Sequence, residues 1–114
     1  MGIYWTDFHS NIHHAQMDDL EKWTEQIRET LDFWPIAYYP FGMRKDSSGL
    51  SVEDTIPSED ITKDWELLRK HVNQVNAEGF PMFMGYEWQG NGLDGDHNVF
   101  FKDNLQDPCF TYDY

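Results

Sequence analysis

The stretch Phe80-Pro-Met-Phe-Met-Gly-Tyr-Glu-Trp constrains this chain more than any other. It is nearly unbroken core sequence, without the polar alternation of a half-exposed strand. A run of this kind suits a strand covered on both faces, as in a parallel sheet flanked by helices. Its flaw is Glu87. A carboxylate buried among these residues without a partner costs several kcal/mol. Glu87 therefore needs a cation or a hydrogen-bond donor.

The remaining segments build outward from that strand. Ile3 to Phe8, rich in aromatic and β-branched residues, predicts a first strand. Met17, Leu20, Trp23, Ile27 and Leu31 form the stripe of an amphipathic helix, with Asp18 and Glu21 at capping-box spacing. Phe33 to Tyr39 predicts a second strand, which Pro35 pushes toward a sheet edge or a strand start. Residues 41–58 predict a long loop. A second helix starts near Ser58, carries Ile61, Trp65, Leu68, Val72 and Val75 on one face, and stops at Gly79 and Pro81. Phe80 to Trp88 is the third strand, Gln89 to Asp96 a Gly-rich turn, and His97 to Phe101 a fourth strand. Residues 103–114 have no periodicity. The order β-α-β-loop-α-β-β predicts an α/β protein with a parallel sheet. Its 114 residues make a single domain, 1–114. A closed (β/α) barrel takes about 250 residues, so the chain is a small open sheet or the leading part of a larger barrel.

Charge removes several function classes. Eight Lys and Arg against 21 Asp and Glu leave a net charge of −13. That field repels phosphate backbones and anionic membrane surfaces, so neither nucleic acid nor membrane is an expected partner. No apolar run approaches the roughly 18 residues of a membrane span. The start lacks the basic and apolar regions of a secretory leader, which places the expected location in the cytoplasm. Cys109 is the one cysteine, so no internal disulfide can form.

Chemistry in such proteins collects at the carboxyl ends of strands. His9 falls at the end of strand one, Glu87 at the end of strand three, and His97 just after it. If the chain stays extended past His9, then His9, Asn11 and His13 share one face. Imidazoles with a carboxylate are ligands for zinc, iron or manganese, and a bound metal supplies hydroxide at neutral pH. His13 and His14 fit a solvated turn as well as they fit a ligand pair. His71, one place off the stripe of its helix, fits the surface. Asp94 and Asp96 fit turn formation, although Glu87 with either of them would make a metal-free, carboxylate-based hydrolase. The chain has no phosphate-binding Gly-rich loop and no nucleophile elbow.

Four short motifs in order resemble the PHP (polymerase and histidinol phosphatase) superfamily, in particular its PHP-like metal hydrolases. Tyr4-Trp5-Thr6-Asp7-Phe8-His9-Ser10-Asn11 is similar to the opening Tyr-Trp-Gly-Asp-Leu-His-x-His. Leu31-Asp32-Phe33 resembles the second motif, Gly85-Tyr86-Glu87-Trp88 the third, and Gly95-Asp96-His97-Asn98-Val99-Phe100 the fourth. The resemblance covers residues 4 to 101. It implies a distorted (β/α)7 barrel, of which this chain holds the N-terminal part. It implies up to three divalent metals (zinc, manganese or iron) and hydrolysis of a small-molecule substrate, typically a phosphoester, by metal-bound hydroxide. By position His9 is the first His of the opening pair, Glu87 the metal-bridging catalytic carboxylate, His97 a further ligand, and Asp7 a residue that orients a ligand. The second His of the pair is replaced by Asn11, with His13 two residues on. Tyr38-Tyr39 stands where the second motif ends in Asp-His. The later ligands of the family have no place in 114 residues. Those departures support a second reading, a non-catalytic remnant or interaction module with a decayed metal site. Unpaired strand edges predict self-association in either case.

Overall fold

The computed structural model describes residues 1–90 and 95–107. The expectations for Asp94 and Cys109, and for the tail from residue 108, lie outside the described residues. The fold is mixed α/β, with two α-helices and two sheets. Strands β1 (Ser10–His13), β2 (Trp34–Tyr39), β5 (Met82–Gln89) and β6 (Asp96–Phe100) form one sheet in the order β1-β2-β5-β6. Strands β3 (Phe41–Lys45) and β4 (Ser51–Thr55) form a separate antiparallel hairpin. Helices α1 (Leu20–Arg28) and α2 (Ser58–Ala77) supply the second layer, and no helix is long and apolar enough to cross a membrane among the described residues.

The core lies between the sheet and the helices. Side chains alternate along a strand, and the set Ile12, Trp34, Ile36, Tyr38, Met82, Met84 and Tyr86 packs with Trp65, Leu68, Val72 and Val75 of α2. Leu68 and Val72 are fully buried, each contributing about 1.5–3 kcal/mol by leaving water. Helix α2 ends as its sequence predicts. Gly79 takes a positive φ of 95°, Gly79 N–H bonds the Asn76 carbonyl at 3.0 Å, and Phe80 N–H bonds that of Val75 at 3.4 Å. This is the Schellman arrangement, with the Phe80 ring returned to the core.

Four expectations are corrected. The first strand is Ser10–His13, not Ile3–Phe8. The earlier segment runs beside the entry to β2, with Asp32 N–H donating to the Trp5 carbonyl at 2.9 Å, and leaves Ile3, Tyr4, Trp5 and Phe8 exposed. Residues 41–58 are not a plain loop. Asp46 closes the hairpin by accepting from Ser48 N–H, Ser48 Oγ and Leu50 N–H through one oxygen. Strand β6 runs antiparallel to β5, because the short connection 90–95 cannot make the crossover a parallel return requires. Asp18 and Glu21 form no capping box, since α1 starts at Leu20 after a 3-10 turn over His14–Asp19. Pro35 sits inside the sheet near the start of β2. Trp34 N–H points to β5, bonding Pro81 at 3.0 Å, so position 35 faces the β1 side, and β1 pairing begins only at Ile36.

The sheet is curled. Strands β1 and β6 are its opposite edges, yet Phe8, just before β1, packs against Phe100 of β6 with ring centroids 6.0 Å apart. Asn98 Nδ2 also donates to the Phe8 carbonyl at 3.1 Å. The face away from the helices is therefore concave, and the described residues form no closed barrel.

Candidate functional site

The concave face divides along its length. Phe8, Phe33, Phe83 and Phe100 fill the end where β1, β2 and β5 begin. Polar side chains fill the other end, where those parallel strands finish. Asn11, Ala37 and Gly85 stand in one row across the sheet. Flat strands two apart would separate the first and last of these backbones by about 9.6 Å. The curl, and the small side chains of Ala37 and Gly85, let Asn11 reach over β2. Asn11 Nδ2 donates to Glu87 Oε2.

Glu87 is only 8% exposed. Its second oxygen accepts from Gln89 Nε2 at 3.4 Å. The same Gln89 nitrogen donates to the Tyr39 hydroxyl at 2.6 Å, and that hydroxyl donates to Glu53 of β4. Burial holds the Tyr39 phenol well above its ordinary range, and the bond to Glu53 and the charges of Glu53 and Glu87 push the same way. Tyr39 is therefore a neutral donor that joins the hairpin to the sheet.

Asn98 pairs directly with Glu87 across β5 and β6, so their side chains lie side by side on the concave face. With His9 and Asp96 they line a cavity of about 230 Å³. Two acceptors here lack donors among the described residues: Asn11 Oδ1 and Asn98 Oδ1 are both buried without a hydrogen-bond partner. Each amide already uses its nitrogen, on Glu87 and on Phe8, which fixes which end is the oxygen.

The residues singled out in the sequence are thus partly gathered. Glu87, Asn11 and His9 lie at one place. His9 precedes β1 and does not end a strand. Asp7 turns the chain into β1, accepting from His9 N–H at 2.7 Å and Ser10 Oγ at 3.1 Å. His13 shares the face but engages the root of the hairpin, with Nδ1 donating to the Phe41 carbonyl at 3.4 Å and its ring against Tyr39. His97 pairs with Trp88, one register step from Glu87, and its ring packs on Trp88 with centroids 5.6 Å apart, on the opposite face of the sheet. Asp96, expected to shape a turn, opens β6 and lines the cavity. Among the described residues no group of three His, Cys, Asp or Glu side chains is arranged to hold a metal. Of the imidazoles expected as ligands, His9 lines the cavity with Glu87, whereas His13 and His97 are placed elsewhere. The cavity itself is lined by the Glu87 and Asp96 carboxylates, the Asn98 amide and the His9 imidazole.

Two further polar clusters lie on the helical side. Asp64 of α2, 8% exposed, accepts from the Tyr38 hydroxyl and from His14 Nδ1, each at 2.6 Å. Burial, then the Asp64 hydrogen bond, raises the Tyr38 phenol far above its usual range. His71, expected at the surface, is half-buried between the helices. Thr24 Oγ1 donates to the Leu20 carbonyl at 2.7 Å and so accepts from His71 Nε2 at 2.8 Å. Burial lowers the His71 pKa; Arg28 also lowers it, while Glu21 and Glu78 raise it. Gln89 lies outside the four motifs, and Asn98 and Tyr39 lie within motif positions to which the resemblance assigns no role in this chain. The strand register marks Asn98 as the neighbour of Glu87, a relation that exists only once β5 and β6 are paired.

Comparison with protein-family models finds no match, and neither the curated proteins nor the solved structures include a similar chain.

Proposed function

We propose that this chain is a metal-dependent hydrolase domain of the PHP type, acting on a phosphoester, with its chemistry at the concave face around Glu87. The observation that carries the reading is the pair of donorless, buried amide oxygens, Asn11 Oδ1 and Asn98 Oδ1, beside a buried carboxylate. A buried acceptor without a partner costs about 1–3 kcal/mol, and a cation bound beside such an oxygen offsets that cost. A bound divalent cation supplies a Lewis acid and hydroxide at neutral pH. The chain's own residues do the rest. Asn11 and Gln89 orient Glu87. Phe8 orients Asn98 through its carbonyl. His9, at the cavity wall, is the imidazole available to exchange a proton with a substrate there.

The test is hydrolysis of phosphomonoester and phosphodiester probes by the full chain, with and without chelator, alongside its metal content. Glu87→Gln is expected to abolish hydrolysis and remove bound metal while keeping the fold. Glu59→Gln, on the first turn of α2, is expected to change neither. Full activity and metal content in Glu87→Gln would overturn the assignment.

The remnant reading has its own support. Both Glu87 oxygens already receive donors, and Tyr38, standing where the second motif has Asp, spends its hydroxyl on Asp64. A protein that binds no divalent cation and hydrolyses nothing would establish that reading.

A further inference from the structure

The end of the sheet opposite Glu87 has a cavity of a different character. Its volume is about 400 Å³, and Tyr4, Asp32, Phe33, Pro81 and Phe83 line it. Small-ligand sites span roughly 300–1,000 Å³. Asp32 and Phe33 lead into β2 and Pro81 into β5, so this is the end where those strands begin. We infer that the cavity binds a small organic cation with a methylated ammonium head, a molecule of the choline type.

The walls carry the argument. Tyr4, Phe33 and Phe83 are aromatic, and Asp32 is the charged side chain among the lining residues. The Phe33 and Phe83 rings stand at 89° with centroids 6.3 Å apart, so they form a corner and not a flat wall. Ring faces attract cations, most strongly when the cation has shed its water. One carboxylate and one phenol hydroxyl cannot replace the hydration shell of a metal ion or a bare ammonium. Methyl groups on the nitrogen leave little hydration to replace, and they pack on rings and proline. An anion is repelled by Asp32 and by the net charge of −13.

Tyr4 is 74% exposed and is not part of the core, yet the fold fixes where it stands. Three hydrogen bonds tie its segment to the entry of β2. Trp5 N–H donates to Asp32 Oδ2 at 2.8 Å, Asp32 N–H to the Trp5 carbonyl at 2.9 Å, and Thr6 Oγ1 to the Phe33 carbonyl at 2.6 Å.

The full chain is titrated with choline and, separately, with dimethylbutanol, its neutral isostere with carbon in place of the nitrogen. Binding is read from the magnetic resonance of the ligand methyl groups. Choline is expected to bind, with its methyl signals moved upfield by the rings, and the alcohol at least about tenfold more weakly. Tyr4→Leu keeps an apolar wall but removes a ring, and is expected to weaken choline binding about two- to thirtyfold, the range of one cation–π contact. Tyr4→Phe restores it. Asp32→Asn keeps an acceptor for Trp5 N–H and loses the charge, so it too is expected to weaken binding. Circular dichroism of each variant is compared with that of the parent, and the comparison of the two probes on the unsubstituted protein stands whether or not a variant folds. Equal binding of choline and the alcohol, undiminished choline binding in Tyr4→Leu, or no choline binding overturns the site. A trimethyllysine peptide that binds more tightly than choline overturns its assignment to a small molecule.

Discussion

Asn11 and Glu87 touch although a whole strand, β2, lies between the strands that carry them. The contact depends on the residue beneath it. Ala37 is fully buried and stands in the row between Asn11 and Gly85. Ala37→Leu puts a branched side chain under the amide. It is expected to part Asn11 from Glu87 and to destabilise the fold by about 1–3 kcal/mol, the usual cost of overpacking. Chemical denaturation measures the second effect, and the amide resonances of Asn11 report the first.

Gly85 makes a related demand. A Cβ there would lie 2.3 Å from the Val99 carbonyl oxygen and 2.5 Å from Phe100 Cδ1. The first obstacle is backbone, so β6 must move away. Gly85→Ala is expected to lower stability by about 1–3 kcal/mol and the thermal midpoint by several degrees. A midpoint equal to that of the parent would mean that β6 is not paired at Gly85–Phe100.

His71 gives the fold an acid limit. Its folded pKa is depressed by burial, so the unfolded chain, with an ordinary value near 6.5, binds the proton more readily. Stability from this group is complete above about pH 6.5 and is lost as pH falls through that value toward the lower folded pKa. Unfolding midpoints measured from about pH 8 to pH 5 should fall in the parent and fall less in His71→Gln. A parallel decline in the two proteins would assign the acid sensitivity to other groups.

At the alkaline end, Tyr38 and Tyr39 are held protonated. Both folded values lie above the ordinary phenol value of about 10, so their contribution is complete below that pH and is lost above it. Near-ultraviolet titration of the native protein should leave Tyr38 and Tyr39 protonated until the chain unfolds. Tyr38→Phe should leave the native curve unchanged and remove one proton from the unfolded one. The same substitution takes one of two donors from buried Asp64 and is expected to cost about 1–3 kcal/mol.

The outer edges of β1 and β6 are unpaired in the described sheet, and the sequence-based expectation of self-association carries over to them as a proposal. A net charge of −13 opposes it, so sedimentation should show association rising with salt as repulsion is screened. Monomers at every salt concentration would count against it.

Much of this architecture was legible where periodicity was strong. The stripe from Ile61 to Val75 and the stop at Gly79 locate α2, and the apolar run to Glu87 locates β5. What escaped had no apolar signal. Ser-Asn-Ile-His pairs as β1 because β2 offers it an edge, whereas the more strand-like Ile3–Phe8 finds no sheet partner. The hairpin strand Ser-Val-Glu-Asp-Thr is largely exposed, so alternation had nothing to report. The site was half legible for the same reason. Glu87 stands out as a charge within apolar sequence. Whether His97 or Asn98 faces it depends on a one-residue register choice that composition does not carry.

The two halves of the polar cluster lie at very different distances along the chain. Glu87 and Asn98 belong to neighbouring antiparallel strands and can meet as soon as that local reversal forms. The Asn11–Glu87 and Phe8–Asn98 contacts close loops of 76 and 90 residues. Closing such loops is the slow, entropically costly part of assembly. The last strand of the sheet can thus be in place while the chain's opening segment still searches for it. The cluster around Glu87 becomes complete only when the two edges of the sheet meet.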